Sequence, residues 1–291
     1  MGKIIRCITS DGLVMAAGID STDICAKAEQ VHKTSAVATA ALGRLLTAAS
    51  LMGNALKGDA QSITLRLDGG GPIGTVTAVA DEKGNVRGYV GNAVVELPLK
   101  PNGKLDVSAA VGCDGSLYVM KDLGMREPYN GYVPIVSGEI AEDIASYYAV
   151  SEQIPTVCAL GVLINPDLTV KKSGGYIIQL LPAAQGYEEV ISKLEKNIGE
   201  IKPVTALLEE GNDIEDIVRM ALNGFEVEIL SESSAEYKCN CSREKTEKVL
   251  LSLSDEERQN LAESNEDTEV NCHFCGAKYT FTPDEIKELK K

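Results

Sequence analysis

Four cysteines near the C-terminus are the residues of this sequence best suited to chemistry. They form two tight pairs, Cys239 with Cys241 and Cys272 with Cys275, separated by thirty intervening residues. Thiolate sulfurs bind zinc strongly, and two such pairs joined by a polar loop can supply the four corners of a tetrahedral site. The sequence therefore predicts one zinc ion bound by four sulfurs, with a tight turn at Gly276 after the second pair.

The other cysteines and the two histidines give weaker signals. His273 lies between two cysteine ligands and is expected to face solvent, and His32 has no cysteine or serine partner arrangement that would indicate catalysis. Isolated cysteines usually serve as small buried hydrophobic residues; those in this chain are Cys7, Cys25, Cys113 and Cys158. No catalytic residue is predicted, and we expect the chain not to be an enzyme.

The distances required by zinc and by a disulfide are incompatible. With Zn–S bonds of about 2.3 Å, neighbouring sulfurs in a tetrahedral site stand roughly 3.7 Å apart, whereas a disulfide requires about 2.05 Å. Structural zinc contributes on the order of 10–16 kcal/mol of apparent binding energy, and a whole domain is usually stable by only about 5–15 kcal/mol. We therefore expect oxidation of the thiols to release the metal and to unfold the segment that it holds.

Length and charge limit the function classes. The chain has 291 residues and a formal net charge of -15, which argues against a nucleic-acid partner because a polyanion would be repelled. The apolar stretches are judged too short to span a bilayer, and the N-terminus lacks the apolar core of a signal peptide. We expect a cytoplasmic protein with no membrane partner, in a reducing compartment where cysteine pairs hold metal or act as redox elements.

The pattern along the chain predicts an α+β fold in three regions. These are a β-rich core domain with packed helices over residues 1–181, a helical linker over 182–230 and a small zinc-binding domain over 231–291. Two helices are predicted within the core, one from Ser21 to about Leu56 and one over Glu139–Ser151. The predicted strands are Ile4–Thr9, Ile63–Leu67, Gly74–Ala80, Val86–Val90, Tyr129–Val136, Thr156–Ile164 and Tyr176–Leu181.

Amphipathic helices are predicted throughout the linker. The first carries an apolar stripe with steps of three and four residues. Its members are Tyr187, Val190, Ile191, Leu194, Ile198 and Ile201. A second helix begins at Pro203, and a third is capped by Asn212 or Asp213 and ends at Gly224. Either the stripes pack permanently on the core domain or they pack only under some conditions.

The last region is acidic and poor in apolar residues. From Ser231 onward it contains fourteen Asp and Glu against nine Lys and Arg. Ser254 and Glu257 have the spacing of a capping box, which predicts a short helix to about Ala262. Its large apolar residues are taken to be nearly limited to Leu250, Leu251, Leu253 and Leu261. So small a core cannot stabilise some sixty residues alone, so we expect the metal to be required for folding.

These features together resemble the bacterial redox-regulated heat-shock chaperone family, the thirty-three-kilodalton chaperonins. The two cysteine pairs carry the likeness most specifically. Other landmarks are Leu42-Gly43-Arg44, Gly70-Gly71-Pro72 and the segment 84–90, so the resemblance covers essentially the whole chain. It implies an ATP-independent holdase, a chaperone that binds unfolding proteins without refolding them, which is inactive while reduced and zinc-bound.

The resemblance also implies how such a protein is activated. Oxidation would join Cys239 to Cys241 and Cys272 to Cys275, zinc would leave, and the last domain and the linker would unfold. Hydrophobic surface would then bind unfolding client proteins, and a homodimer is expected on activation. We hypothesise that the six-residue stripe of the first linker helix is part of the concealed client surface.

Two other function classes remain open. A zinc-ribbon protein could act in regulation or interaction, including nucleic-acid binding, although the acidic tail disfavours the latter. A thiol-disulfide oxidoreductase would place a reactive cysteine pair at a helix N-terminus, where the helix dipole lowers the thiol pKa. The residues that follow Cys275, from Gly276 to Phe281, instead predict a strand.

Overall fold

A long apolar helix, α2 (Ala36–Asn54), forms the centre of the β-rich part of the molecule. Sixteen of its nineteen residues are buried, and it packs against strands of two different sheets. Its many alanines allow this close approach, as the sequence indicates. By length and composition α2 could cross a bilayer, so the expectation that no stretch is long enough was wrong. Its burial inside the fold accounts for its apolar character.

The computed structural model describes residues 1–184, 186–264 and 266–289. The chain forms two compact units, Met1–Tyr237 and Lys238–Lys291. Helices and antiparallel sheets occur in both units, which confirms the predicted α+β class.

The first sheet of the first unit has five antiparallel strands in the order β10-β1-β2-β9-β8. These strands are β1 (Gly2–Thr9), β2 (Val14–Asp20), β8 (Thr156–Ile164), β9 (Val170–Leu180) and β10 (Val227–Ala235). One face of this sheet packs on α2 and the other on three later helices, so its central strands are buried on both sides.

The second sheet lies against α2 and has the strand order β5-β4-β3-β6-β7. Its strands are β3 (Ser62–Asp68), β4 (Val76–Asp81), β5 (Val86–Val90), β6 (Ser116–Asp122) and β7 (Tyr129–Pro134). All seven predicted strands are present. Six of them differ from the prediction by at most two residues at either end, and β9 begins six residues earlier than predicted. Strands β2, β6 and β10 were not predicted. β2 is rich in small residues and the second half of β10 is polar. β6 does alternate, with Leu117 and Val119 buried and Tyr118 and Met120 exposed, and its pattern was missed.

The predicted helix from Ser21 to Leu56 is two helices, α1 (Thr22–His32) and α2. The chain breaks at Lys33, which adopts a left-handed conformation with φ of 53°. The Ser35 hydroxyl then donates to the Val95 carbonyl at 2.7 Å and accepts from the Val95 N–H at 3.0 Å. These bonds accompany an extended conformation of Ser35, with φ of -62° and ψ of 163°, and α2 begins at the next residue.

The remaining core helices are short. They are α3 (Val107–Val111) and α4 (Ala141–Tyr147), and α4 continues into a π-helical turn over Tyr148–Glu152. Together α4 and this turn correspond to the predicted helix over Glu139–Ser151.

The helical region packs on the first sheet. A 3₁₀ turn, Pro182–Ala184, precedes α5 (Glu188–Glu200), α6 (Val204–Glu209) and α7 (Ile214–Ala221). The Asp213 carboxylate caps α7 by accepting from the Asp216 N–H at 2.9 Å. Gly18 of β2 lies under α7, where a Cβ atom would stand only 2.7 Å from the Val218 side chain.

The predicted stripe on α5 is only partly covered. Leu194 is 5% exposed, whereas Tyr187 is 55% and Ile191 is 36% exposed. Three other members pack partly buried against the same apolar cluster; these are Val190, Ile198 and Ile201.

The first compact unit ends at Tyr237, seven residues after the predicted boundary at residue 230. Ser231–Ala235 belongs to β10, which pairs with β1, and the unit extends to Tyr237. The Tyr237 hydroxyl donates to the Gly88 carbonyl at 2.9 Å and contacts His32 Nε2 at 3.0 Å, which anchors the end of the first unit.

The second unit is built from short elements. They are α8 (Arg243–Leu251), α9 (Asp255–Glu263), β11 (Thr268–Asn271), β12 (Lys278–Phe281) and α10 (Pro283–Glu288). The predicted capping box is present, since Ser254 Oγ accepts from the Glu257 N–H at 3.2 Å. The expectation that four leucines are nearly the only large apolar residues was wrong. The small core is Leu250, Ala262, Phe281 and Ile286, with Leu253, Leu261, Val270, Tyr279 and Leu289 packed against it.

Candidate metal centre

Two loops of the second unit bring the four predicted cysteines together. Cys239 and Cys241 precede α8, and Cys272 and Cys275 lie in the turn between β11 and β12. Each side chain can place its sulfur within 4.8 Å of the other three. No histidine belongs to this cluster among the residues that the structure describes, so His273 is not a ligand candidate.

The turn between β11 and β12 has the geometry of a metal-binding knuckle. The Cys272 carbonyl accepts from the Gly276 N–H at 2.8 Å, and the Cys272 N–H donates to the Ala277 carbonyl at 2.8 Å. Gly276 has φ of 71°, a conformation that glycine adopts without strain. The predicted role of this glycine is confirmed: it lets the chain reverse so that both cysteines face the same point.

Side chains from the rest of the unit fix the first loop. Arg243 donates to the Thr280 carbonyl at 2.9 Å and to Glu285 at 2.7 Å, and its guanidinium lies 4.3 Å from the centre of the Phe281 ring. Lys245 Nζ donates to the carbonyl of Asn240, the residue between the first two cysteines, at 2.7 Å. The two loops are therefore positioned by the same small core.

Two sulfur contacts join cysteines of different pairs. Cys239 Sγ lies 3.7 Å from Cys272 Sγ, and Cys241 Sγ lies 3.4 Å from Cys275 Sγ. These separations are near the roughly 3.7 Å between sulfurs of a tetrahedral zinc site and far from the roughly 2.05 Å of a disulfide. The four residues fit a tetrahedral metal ion.

One tyrosine that the sequence did not single out touches this cluster. Tyr279 Oη lies on β12 and donates to Cys241 Sγ at 3.1 Å. The alternation of β12 is the signal that could have found it, since Tyr279 and the buried Phe281 are two residues apart on one face.

Burial and hydrogen bonds give the thiols different acidities. Partial burial opposes ionisation of Cys241, but donation from Tyr279 and the neighbouring thiols outweighs it and lowers its pKa to about 7. Burial raises the pKa of Cys275 to about 12 and also raises that of Cys239. One thiolate therefore forms near neutral pH, and a cation would stabilise further ionisation.

The four isolated cysteines lie outside this centre. Cys7 and Cys25 are buried, Cys158 is partly buried and Cys113 is exposed. Burial raises the pKa of Cys7 to about 11. The expectation of small buried residues is confirmed for Cys7 and Cys25 and is wrong for Cys113.

Comparison with known proteins places the chain in a family. The family model described as "Hsp33 protein" matches residues 2–282. The "33 kDa chaperonin" of Clostridioides difficile is 46% identical over 288 residues, which covers 99% of this chain and 98% of that protein. The protein of the same name from Clostridium botulinum is 44% identical over 290 residues, covering 99% and 97%.

A solved structure has the same fold. The crystal structure of the 33 kDa chaperonin (heat shock protein 33 homolog) from Thermotoga maritima superimposes with a TM-score of 0.89 at 36% identity, covering 99% of this chain and 97% of that one. With the cysteine cluster in place, the sequence and structure matches agree along nearly the full length, and the chain belongs to the Hsp33 family of chaperones.

Proposed function

We propose that this chaperone is an ATP-independent holdase that is inactive while its four clustered cysteines hold zinc and active once they are oxidised. The observation that carries the proposal is the convergence of four thiols within 4.8 Å in a small unit whose apolar core, in the part that the structure describes, has four buried residues. So small a core leaves the unit dependent on its metal.

Zinc is the ion that we assign to the site. Four thiolates without a histidine or carboxylate form the donor set of structural zinc sites, where every coordination position is filled by protein. Cys239, Cys241, Cys272 and Cys275 would hold one ion in the reduced protein. Bound there, zinc would supply a cross-link between the two loops.

Oxidation would remove the ligands. Each disulfide forms when two thiols give two electrons and two protons to one hydrogen peroxide, which is reduced to two waters. We propose the pairs Cys239–Cys241 and Cys272–Cys275, as the family resemblance implies. The short spacing within each pair supports this pairing. A disulfide that closes a loop of one or two intervening residues costs little chain entropy, so it can still form while the unit unfolds. Mass spectrometry of digested oxidised protein tests this pairing, and disulfides between the two loops would contradict it.

Unfolding of the second unit would extend to the linker. The linker helices α5, α6 and α7 would leave the first sheet and expose apolar surface, including the stripe of α5. Two stripe members, Tyr187 and Ile191, are already exposed, so charged residues should be tolerated there. Replacing both by lysine should lower anti-aggregation activity after oxidation, whereas Glu195→Lys on the same helix should not. Full activity of the double variant would remove the stripe from the client surface.

The partners and location follow from the same proposal. Clients are unfolding proteins, a homodimer forms on activation, and the protein acts in the cytoplasm without nucleic acid or membrane partners. We expect the protein to have no enzymatic activity. The oxidoreductase alternative would place a Cys-x-x-Cys pair at a helix N-terminus. The Cys-x-x-Cys pair of this chain, Cys272 and Cys275, precedes the strand β12, and the pair that precedes α8 is Cys-x-Cys.

The test follows metal and activity together. Reduced, zinc-loaded protein is treated with hydrogen peroxide at elevated temperature while free zinc and the light scattering of an unfolding client are recorded. Zinc release and suppression of aggregation should rise together, and a reductant should reverse both. Cys113→Ser, which changes an exposed cysteine outside the cluster, should behave like the unaltered chain, and Cys272→Ser should lose zinc. Equal activity of the reduced, zinc-loaded form would contradict the proposal.

A further inference from the structure

A cavity of about 850 Å³ lies beside strand β8 in the first unit. Six consecutive residues of the strand, Ala159–Ile164, line it. Successive residues of a strand point to opposite faces of the sheet, so a consecutive run can border one cavity only along the edge of the strand. β8 is the last strand in its sheet. The cavity therefore follows roughly 20 Å of a free sheet edge.

The register shows which backbone groups face this cavity. The Leu180 N–H donates to the Pro155 carbonyl at 3.1 Å, so these two residues form a hydrogen-bonded pair. Hydrogen-bonded pairs alternate along an antiparallel ladder, and the next residues whose backbone faces β9 are Val157, Ala159 and Gly161. The N–H and C=O groups of Cys158, Leu160 and Val162 therefore point away from β9. Within the described ranges, no other element forms a backbone hydrogen bond with them.

The sequence of β8 does nothing to protect this edge. Exposed edge strands are usually blunted by charged residues or proline, which prevent pairing with another chain. The outer strand β10 carries Glu228 and Glu232, β5 carries Arg87, and β7 ends at Pro134. β8 has neither a charged residue nor a proline in its nine residues. Of the four outer strands in the two five-stranded sheets, β8 is the one whose residues would not hinder pairing with another chain.

The walls of the cavity favour an uncharged occupant. Small or apolar side chains from α2, α6 and the adjoining loops face it; among them are Ala36, Ala40, Leu99, Leu105, Leu168 and Val204. The charges at its border are largely paired within the protein. Arg44 binds Glu139 at 2.5 Å, and Glu209 binds Lys171. An occupant with many charges would find few partners here, whereas an apolar extended chain matches both the walls and the edge.

We propose that the free edge of β8 binds an extended, uncharged segment of a client protein as an added strand of the first sheet. The inference rests on the proposed holdase function, since it specifies how such a client is held. Main-chain hydrogen bonds supply affinity without requiring a particular sequence. Unfolded proteins commonly expose extended, uncharged segments whose backbone groups are unpaired. In a folded protein the backbone groups of these segments are already hydrogen-bonded. Because α6 lines the cavity, departure of the linker would widen access to β8.

The test removes one backbone N–H group from the free edge of β8 and keeps the hydrogen bonds between β8 and β9. Val162→Pro deletes an N–H that points away from β9, and proline is tolerated on a strand edge where its nitrogen has no partner. Val162→Ala keeps the N–H and is the matched control. The probe is a fluorescein-labelled decapeptide of alternating valine and threonine, with its fully N-methylated form as a second control that leaves the protein unchanged. Binding is measured by anisotropy with the full chain, reduced and oxidised, after circular dichroism has verified folding.

The outcomes separate this inference from the proposed function. We expect Val162→Pro and N-methylation of the probe each to weaken binding about ten-fold, and Val162→Ala to change it less than about three-fold. Equal probe affinity of Val162→Pro and the unaltered chain, or of the two probes, would overturn the inference. The holdase proposal would stand if oxidation still activated the chain. A dimer in sedimentation that Val162→Pro dissociates, with no probe binding, would identify a second copy as the occupant and would also overturn it.

Discussion

At the residue scale, a side chain that is not a ligand candidate contacts the candidate metal centre. Tyr279 donates to Cys241 at 3.1 Å from the face of β12 that also carries the buried Phe281. Hydrogen bonds to a ligating atom stabilise its charged form and fix its orientation. Tyr279 therefore links the small apolar core directly to one of the four sulfurs.

Replacing Tyr279 by phenylalanine should weaken zinc binding. The variant keeps the ring that packs on the core and loses only the donor to Cys241, so we expect the zinc dissociation constant to rise about ten-fold. Competition with a chromophoric chelator measures it. Tyr132→Phe, which alters an exposed tyrosine of the first unit, is the control and should bind zinc normally. Unchanged affinity in the Tyr279 variant would show that the hydroxyl has no part in the site.

The cysteine cluster could be predicted from sequence, but its surroundings could not. Residue type and spacing indicate a four-sulfur site, because few other arrangements in a reducing compartment use two close cysteine pairs. The contact from Tyr279 depends on the register of β11 with β12, in which Val270 lies opposite it. The bonds from Arg243 to Thr280 and Glu285 depend on how α8 meets the hairpin. Such contacts are tertiary and leave no local pattern.

At the element scale, a polar contact holds the first linker helix in place. Asn197 of α5 donates to the carbonyl of Ala221 at 3.2 Å and to that of Asn223 at 2.9 Å, just where α7 ends. Lys193, one turn earlier, donates to the Gly224 carbonyl, and its ammonium lies 4.4 Å from the centre of the Phe225 ring. With only Leu194 fully buried on α5, these bonds are a large part of its attachment.

Loss of the Asn197 amide should loosen α5 without unfolding the sheet. Asn197→Ala leaves two carbonyls at the end of α7 without their donor, and we expect a cost of about 1–2 kcal/mol. Hydrogen exchange in α5 should become about ten-fold faster, since it opens locally, while exchange in β1 and β2 stays the same. Lys196→Ala, at an exposed neighbouring position, serves as the control. Equal exchange in α5 of both variants would contradict this role for Asn197.

Elements with strong local signals were predictable, and those decided by packing were not. The cap at Asp213 and the apolar positions of α7 predicted that helix, because both are local features. The break at Lys33 was missed because the helical pattern continues through it and the competing bonds come from Val95, sixty residues after Ser35. β10 was missed because its second half, from Ser231 to Ser234, is polar. Its place in the sheet comes from pairing with β1.

At the scale of the whole molecule, an ion-pair cluster ties α2 to two distant loops. Glu139 accepts from Arg44 of α2 at 2.5 Å and from Lys100, which also lies 3.7 Å from Asp106. Burial opposes ionisation of Glu139, but the bonds from Lys100 and Arg44 outweigh it and lower its pKa from the usual value of a glutamate. The same bond to Glu139 raises the pKa of Lys100.

The lowered pKa of Glu139 predicts a stability difference that disappears in acid. A carboxylate with a lower pKa in the folded than in the unfolded state stabilises the fold above its unfolded pKa and loses that effect as pH falls. Glu139→Gln should therefore be less stable than the unaltered chain by about 1–3 kcal/mol at pH 7, and the difference should shrink between about pH 5 and 3. Urea unfolding measures it, with Glu142→Gln on the exposed side of α4 as control. A difference that is constant with pH would contradict the assignment.

The two units differ in what stabilises them. The first has large apolar clusters on both faces of a five-stranded sheet. The second has four buried core residues, Leu250, Ala262, Phe281 and Ile286, beside its four sulfurs. At about 1.5–3 kcal/mol for each large buried side chain, the burial of these four residues contributes less than the roughly 10–16 kcal/mol available from structural zinc. The metal should therefore control the folding of the second unit and leave the two sheets of the first unit folded.

Hydrogen exchange of the reduced, zinc-loaded full chain before and after chelation tests this claim most directly. Mass spectrometry of peptic fragments reports residues 1–237 and 238–289 separately in one sample. We predict that removal of zinc abolishes protection across the second unit, leaves the sheets of the first unit protected, and is reversed by adding zinc back. If fragments from α8 to α10 kept their protection after the metal had been removed, the metal would not be what holds this unit folded.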